Sequence, residues 1–259
     1  FAYQLAGLAD IYVNDAFGTA HRSHASTEGV THYFKINVAG LLMQKEIANL
    51  THTVSPERPA VLLMGGAKIS DKIEVLLSLM EKVDYILIGG GMANTFLKAK
   101  GIQVEKSKID ANSVLFARYL IEEAQRQETQ LILPEDVLAA EKLPQDAQEK
   151  VKTRVVDLTK EAIPEGWTIL DIGPKTTQFY TEKCLAAKII IWNGPLGLFE
   201  HPQFKQATFN LAQAVMLKPD LRVVVGGGDT VAAINQVAEE GIISSKALEQ
   251  ENKLLSTGG

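Results

Sequence analysis

The stretch Val223–Thr230, VVVGGGDT, decides the fold of this chain. Three valines predict a buried strand, and TVAAINQVAEE (230–240) has the apolar spacing of a helix. Glycine loses more conformational freedom on folding than any other residue, so three consecutive glycines need a physical reason. One reason is a tight turn between strand and helix. The other is close approach of the backbone to a ligand, such as a phosphate at a helix N-terminus, and this stretch alone leaves both open.

The same pattern recurs at four predicted strand ends. The glycine loops are GGAK (65–68), GGG (89–91), NGPLG (193–197) and GGGDT (226–230). Short apolar strands that alternate with helices predict an α/β fold, a doubly wound, Rossmann-like parallel sheet with helices on both faces. Ligands of such sheets bind at the carboxyl ends of the strands. We therefore expect all four loops at one edge, against a long polar ligand such as a nucleotide.

Composition narrows the class of protein. The chain has 259 residues and a formal net charge of −5, which argues against a general nucleic-acid binder. It has no run of 18 apolar residues, so no membrane span is predicted. Its single cysteine, Cys184, excludes an intrachain disulfide.

Charged residues beside the glycine loops have two interpretations each. Lys68 and Lys72 either face solvent or reach one polyphosphate, and their place at a strand end favours the polyphosphate. Asp229 is either a helix N-cap or a ligand of Mg²⁺, which prefers oxygen atoms. Glu200 either accepts hydrogen bonds from ribose hydroxyls or faces water. No P-loop motif is present, and neither GGGMAN nor GGGDTV has the third glycine of a dinucleotide fingerprint.

Six motifs together resemble those of the phosphoglycerate kinase family, in order and spacing, over essentially the whole chain. They are DIYVNDAFGTAHRSHAS (10–26), MGGAKISDKI (64–73), LIGGGMANTFL (87–97), WNGPLGLFE (192–200), VVVGGGDTVAAI (223–234) and STGG (256–259). The resemblance implies a kinase that transfers a phosphoryl group between 1,3-bisphosphoglycerate and ADP, giving 3-phosphoglycerate and ATP, with Mg²⁺. It also implies a cytoplasmic monomer whose partners are small molecules, with no nucleic acid and no membrane.

The resemblance also implies roles for individual residues. Lys68 would follow the transferred phosphoryl group, and Lys72 would contact the nucleotide near its α-phosphate. Asp229 would hold the metal. Lys68, Gly228 and Arg22 would be catalytic, with Arg22 also binding the phosphoglycerate. The nucleotide-binding set would be Gly66, Lys68, Lys72, Gly90, Gly91, Gly173, Asn193, Glu200, Gly227, Gly228, Asp229 and Thr230.

A division into domains follows from the same resemblance. Residues 1–36 would be a remnant of the N-terminal substrate-binding domain, 37–55 the interdomain helix, and 56–259 the C-terminal nucleotide-binding domain. The family's chain is longer at both ends, so we expect this chain to bind Mg-ADP but to catalyse little transfer alone. The pattern of apolar residues predicts a long helix over 38–54 and another over 70–83 with Ser70 as its N-cap.

Two other classes of protein stay open at this stage. One is a catalytically silent ATP- or ADP-binding module, which the length of the intact protein would distinguish from a full kinase. The other is a dinucleotide-dependent oxidoreductase on a similar sheet. The missing third glycine counts against that class, and a preference for ADP over NAD would exclude it.

Overall fold

A six-stranded parallel sheet forms the centre of the molecule in a computed structural model that describes residues 1–256, with all their side chains except those of residues 49, 50, 52 and 54. Residues 257–259, the end of the predicted STGG motif, lie outside the described residues. In chain order the elements are α1 (Ala2–Ala6), β1 (Tyr12–Asn14), β2 (Asn37–Ala39), α2 (Leu41–Val54), β3 (Ala60–Met64), α3 (Ile73–Met80), β4 (Tyr85–Ile88), α4 (Gly90–Ala99), α5 (Val114–Arg126), β5 (Gln130–Ile132), β6 (Asp136–Ala140), β7 (Thr153–Asp157), β8 (Thr168–Ile172), α6 (Pro174–Ala186), β9 (Ile189–Asn193), α7 (Gln206–Met216), β10 (Arg222–Gly226), α8 (Gly228–Glu239), α9 (Ser245–Leu248) and β11 (Lys253–Ser256).

The order of strands in the central sheet is β11-β10-β9-β3-β4-β5, all parallel. From β3 the chain moves outward through β4 and β5, and it then returns to β9 on the other side of β3. The sheet therefore has its topological switch point between β3 and β9, where doubly wound sheets open a crevice for ligands. The strand order confirms the predicted doubly wound sheet.

The two faces of the sheet carry separate apolar cores. Along β3, Leu62 and Met64 pack into one core, while Val61 and Leu63 pack into the other. This alternation follows from the two-residue period of a strand. The first core includes residues of α3, α4 and α5, and the second includes residues of α6, α7 and α8. Because both faces are covered by helices, all five residues of β3 are buried, as the continuous apolar run AVLLM predicts.

A second, three-stranded antiparallel sheet, with order β7-β6-β8, was not predicted as a separate unit. Strands at 153–158 and 168–173 were expected, and β7 and β8 confirm them. The sequence pattern gave no signal for β6, since its short DVLAA run shows no alternation of polar and apolar residues. This sheet lies beside the first core, to which Val137, Val156 and Ile169 contribute side chains.

The long helix near residue 40 begins later than predicted. Residues 37–39 form β2, which pairs in parallel with β1, and α2 starts at Leu41. Asp15 decides this start because its carboxylate accepts a hydrogen bond at 2.9 Å from the N–H of Met43 in the first turn of α2. A carboxylate from a distant segment thus supplies the cap, which local sequence cannot indicate.

The predicted N-cap role of Ser70 is wrong. Ser70 opens a 3₁₀ turn, Ser70–Lys72, and α3 begins only at Ile73 with Lys72 in the capping position. The Ser70 hydroxyl donates a hydrogen bond to the Asp71 carboxylate at 3.2 Å. The backbone N–H of Ser70 donates to Asp110 Oδ2 at 3.3 Å. Lys72, the last residue of this turn, is partly buried, and its ammonium donates to Asn193 Oδ1.

A buried lysine joins β11 to the segment between α7 and β10. Lys253 is 6% exposed, and its ammonium donates to the carbonyl oxygens of Val215, Lys218 and Leu221. Burial lowers the pKa of Lys253 to about 8, with a smaller contribution from the charge of Lys218. The ammonium is therefore still mostly protonated at pH 7, where it donates to one carbonyl near the end of α7 and to two carbonyls of the segment before β10.

Replacement of this lysine tests the role of the three hydrogen bonds. In Lys253→Met, the carbonyl oxygens of Val215, Lys218 and Leu221 lose a buried donor, and we expect the free energy of unfolding to fall by about 2–4 kcal/mol. Urea unfolding followed by circular dichroism measures this. Lys246→Met, at an exposed position of α9, is the control. Equal midpoints for the two variants would show that the hydrogen bonds do not stabilise the fold.

Candidate functional site

The four glycine loops meet at one edge of the central sheet, as predicted. They follow β10, β9, β3 and β4, which are neighbours in that order. Backbone hydrogen bonds join them directly: Gly65 N–H donates to Asn193 O at 2.9 Å, and Gly66 N–H to Pro195 O at 2.9 Å. Gly90 N–H donates to Leu196 O at 2.7 Å. The loops after β3, β4 and β9 thus form one packed unit at the switch point.

Packing between the loops explains most of these glycines. A Cβ atom at Gly65 would lie 2.1 Å from Pro195 O, and one at Gly194 would lie 2.3 Å from the carbonyl of Gly65. Gly90 combines a φ of +62° with a Cβ position 2.6 Å from Gly66 N. By contrast, a Cβ at Gly228 would have no protein atom within 4 Å. No packing of the protein therefore explains Gly228, and close approach of its backbone to a ligand stays a prediction.

A cleft of about 590 Å³ opens beside the glycine loops. Five of the predicted nucleotide-binding residues line it: Gly66, Gly90, Gly91, Glu200 and Asp229. The second sheet and the loop after β6 also line the cleft, through Val137, Leu143, Thr168, Ile169, Leu170 and Ile172. The TILDIG stretch (168–173) was predicted as a strand, and leucine and glycine residues near ILDIGP, such as Gly173, were expected by resemblance to the family to line an adenine pocket. The cleft lining includes Leu170 but not Gly173.

Lys72 and Asn193 form a polar pair beside Gly66. The ammonium of Lys72 donates a hydrogen bond to Asn193 Oδ1. Burial lowers the pKa of Lys72, and the charges of Asp71 and Asp229 oppose that effect. A partly buried cation at the carboxyl end of the sheet suits an anionic ligand, because a phosphate would offset the desolvation of the ammonium.

Thr230 connects the Asn193 loop to the first turn of α8. Its hydroxyl is buried, accepts a hydrogen bond from Gly194 N–H at 2.7 Å and donates to Gly226 O at 3.0 Å. The predicted nucleotide-binding role of Thr230 is untested, and the hydroxyl itself serves the protein's own hydrogen bonds. Its effect is to fix the start of α8 relative to Asn193.

Asp229 is free for a role other than capping. The N-cap of α8 is Gly227, with a φ of +90°, and Asp229 is an exposed residue of the first turn. Within residues 1–256, no three His, Cys, Asp or Glu side chains gather into a metal-binding group. A single carboxylate nevertheless fits Mg²⁺, which proteins often hold through one or two carboxylates plus substrate phosphates and water.

The other predicted site residues lie outside the cleft lining: Lys72, Asn193, Gly227, Gly228 and Thr230 beside it, and Gly173, Lys68 and Arg22. Gly173 is the N-cap of α6 and is buried against Asp136, whose carboxylate a Cβ would meet at 2.2 Å. Lys68 is exposed in its loop, near Asp110. Arg22 is exposed in the turn after Phe17–Thr19. The predicted roles of these residues are neither confirmed nor contradicted by their positions.

The fold and site together define an α/β protein with a glycine-lined, lysine-bearing cleft at the switch point of a doubly wound sheet. The sequence model of the family described as Phosphoglycerate kinase matches residues 1–259. The chain is 46% identical to "Phosphoglycerate kinase" of Moorella thermoacetica and 44% identical to "Phosphoglycerate kinase 2, chloroplastic" of Arabidopsis thaliana. Both matches cover 100% of this chain, which spans 62% and 52% of those two proteins.

A solved structure agrees with this result. The phosphoglycerate kinase from Coxiella burnetii superimposes with a TM-score of 0.84 and 39% sequence identity, over 98% of this chain and 65% of that one. This chain therefore belongs to the phosphoglycerate kinase family. In residues 1–256, none of the helices has both the length and the apolar character that crossing a bilayer requires.

Asp171, one of the residues that line the cleft, carries a buried carboxyl group. It is 3% exposed, and its oxygens accept hydrogen bonds from Ile172 N–H at 2.9 Å and Ala207 N–H at 3.2 Å. Burial raises the pKa of Asp171 well above 3.8, against the opposing effect of these N–H groups. The carboxyl group thus joins β8 to the first turn of α7.

The titration of Asp171 predicts a particular dependence of stability on pH. In the unfolded chain the carboxyl loses its proton near pH 4, whereas the folded chain retains that proton to higher pH. The folded state then binds more protons, so the stability contributed by this group falls as pH rises above about 4. In Asp171→Asn this contribution disappears, and we expect a less steep loss of stability between pH 4 and 7.

Urea unfolding midpoints at several pH values measure this difference. Asp220→Asn, which removes an exposed carboxylate before β10, is the control. A pH profile for Asp171→Asn that parallels the original chain would contradict the raised pKa.

Proposed function

We propose that the cleft binds Mg-ADP or Mg-ATP. We further propose that the complete protein transfers a phosphoryl group reversibly between 1,3-bisphosphoglycerate and ADP. The observation that carries this proposal is the Lys72–Asn193 pair beside the free N-terminus of α8, in a chain of the phosphoglycerate kinase family. A cation and unpaired N–H groups there face the place where a polyphosphate would lie. Phosphoryl transfer needs mainly such positioning and charge neutralisation.

The residues around the cleft suit the successive parts of a nucleotide. Lys72 and the first turn of α8, with Gly227 and Gly228, would hold the phosphates. Asp229 would hold Mg²⁺, which neutralises phosphate charge when bound. Glu200 lines the cleft and would accept hydrogen bonds from ribose hydroxyls. Lys68, exposed and unconstrained by the cleft wall, would follow the transferred phosphoryl group.

The division into domains and the second substrate belong to the same proposal. Residues 1–36 would belong to a substrate-binding domain, with Arg22 on the phosphoglycerate. Residues 37–55, of which 41–54 are helical, would join it to the nucleotide-binding domain of residues 56–259. Gly173, at the end of β8, would support the adenine side. We propose that the protein acts as a cytoplasmic monomer.

Calorimetric titration of the chain with ADP, with and without Mg²⁺, tests the nucleotide site. Lys72→Ala removes a charged hydrogen-bond donor, and we expect affinity for ADP to fall about tenfold to hundredfold. Asp229→Asn should leave binding of metal-free ADP intact and abolish its enhancement by Mg²⁺. Lys98→Ala, at an exposed position near the end of α4, is the control and should bind normally. A folded chain that binds no ADP would refute the proposal for this chain.

We also propose that this chain alone transfers phosphoryl groups weakly or not at all. Several apolar side chains of the first segments are strongly exposed, among them Phe1 (78%), Leu8 (79%) and Leu41 (83%), and a surface of this kind is typical of an interface. Transfer needs both substrates to meet with water excluded. In a coupled assay we expect ADP binding without appreciable turnover. A rate near that of an intact kinase of the family would contradict this.

A further inference from the structure

His201 is a buried histidine to which the proposed reaction gives no role. It follows Glu200 in the loop between β9 and α7, and it is 3% exposed. Its ring packs against Phe204, with 5.0 Å between the ring centroids and 36° between the planes. Phe204 is fully buried and belongs to a small apolar cluster with Ala140 of the second sheet. The imidazole is therefore held inside the protein, whereas the neighbouring Glu200 is exposed.

Both ring nitrogens of His201 contact backbone groups of fixed polarity. Nε2 donates to the carbonyl oxygen of Glu149 at 2.9 Å, and Nδ1 accepts a hydrogen bond from the N–H of Gln203 at 3.2 Å. A carbonyl only accepts and an N–H only donates, so Nε2 carries the proton and Nδ1 does not. An imidazolium would place a second N–H against that of Gln203. The arrangement therefore requires the neutral ring with its proton on Nε2.

The side chain of Gln203 adds two hydrogen bonds between the same two loops. Its Oε1 accepts from Val151 N–H at 3.0 Å, and its Nε2 donates to Val151 O at 3.0 Å. We call the bonds of His201 and Gln203 to Glu149 and Val151 the inter-loop contact. It joins the loop after β9 to the connection between β6 and β7. That connection also lines the cleft, through Glu141, Lys142 and Leu143.

The carboxylate of Glu200 has no support of its own. Glu200 is exposed and lines the cleft, and within the described part of the chain no hydrogen bond or ion pair holds its side chain. Its position therefore depends on the backbone of its loop, which the inter-loop contact fixes at the next residue. A group that is held in its bound position beforehand loses less freedom on binding, so the ligand binds more tightly.

We propose that His201 is a positioning residue that holds Glu200 where its carboxylate accepts hydrogen bonds from the ribose hydroxyls of the bound nucleotide. This inference rests on the proposed nucleotide site and deepens it. His201 acts through the backbone and does not touch the nucleotide. Loss of the inter-loop contact therefore weakens recognition of the ribose and leaves the phosphate contacts of Lys72 and the first turn of α8 intact.

Titration of the chain with ADP and with 2′,3′-dideoxy-ADP, which lacks both ribose hydroxyls, tests the assignment. The original chain should bind ADP about tenfold to hundredfold more tightly than the dideoxy nucleotide, the range expected for a hydrogen bond to a charged group. In His201→Phe this ratio should fall by about threefold to tenfold, the size expected when one side chain loses its preorganised position. Affinity for the dideoxy nucleotide should stay unchanged. His32→Phe, at an exposed position of the 3₁₀ turn Gly29–Tyr33, is the matched control and should retain the ratio.

Two further measurements keep the test independent of how well His201→Phe folds. Gln203→Leu removes the two bonds to Val151 at a partly exposed position, and it should lower the same ratio. Nitrogen-15 NMR of the His201 ring in the original chain at neutral pH should show a protonated Nε2 and an unprotonated Nδ1. A proton on Nδ1 would contradict the inter-loop contact and overturn the inference.

The remaining outcomes also count against the inference. Equal affinities of the original chain for the two nucleotides would overturn it and leave the nucleotide site standing. An unchanged ratio in folded His201→Phe or Gln203→Leu would overturn it as well, and so would an equal loss of affinity for both nucleotides, which indicates a structural role only. A folded original chain that binds no ADP overturns the proposed function, and this inference with it.

Discussion

The contact between the loops after β3 and β9 is the constraint on which the rest of the site depends. Gly65 and Gly194 bring two backbones so close that a single Cβ on either would overlap the other. This contact lies at the switch point of the sheet and fixes the floor of the cleft. Because the loop after β4 is joined to the same unit through Gly90, three strand ends behave as one surface. A ligand there meets backbone that is already held in place.

Polar side chains extend that rigid unit to the fourth loop. Lys72 bonds to Asn193, and the neighbouring Gly194 bonds to the hydroxyl of Thr230 in α8. The start of α8 is thereby held in place relative to Lys72. Asp229, in the first turn of α8, is exposed and does not cap the helix. Buried hydrogen bonds of this kind rigidify a site when each member is satisfied. The chain thus positions a cation, a helix N-terminus and a carboxylate close together, with little freedom left to lose on binding.

The second sheet converts an open sheet edge into a cleft. Ile169 and Ile172 of its strand β8 line the same cleft as the glycine loops, and Asp171 joins that strand to α7. The apolar wall and the polar floor come from segments more than 70 residues apart, such as Gly91 and Ile169. The polar floor suits phosphates, and the apolar wall suits a base. This separation is the chemical basis for assigning the two parts of a nucleotide to the two regions.

The sequence by itself determined the doubly wound sheet, since continuous apolar runs such as AVLLM form strands only when helices cover both faces. It also determined that the glycine loops share one edge, because parallel strands place their carboxyl ends together. Only the tertiary structure decided why each glycine is needed, where α2 begins and what closes the cleft. Contacts between distant residues set these features: Asp15 with Met43, Gly65 with Pro195, and the pairing of β6 with β8. Local patterns cannot encode them, because a cap, a close approach or an antiparallel pairing depends on residues that only the fold brings together.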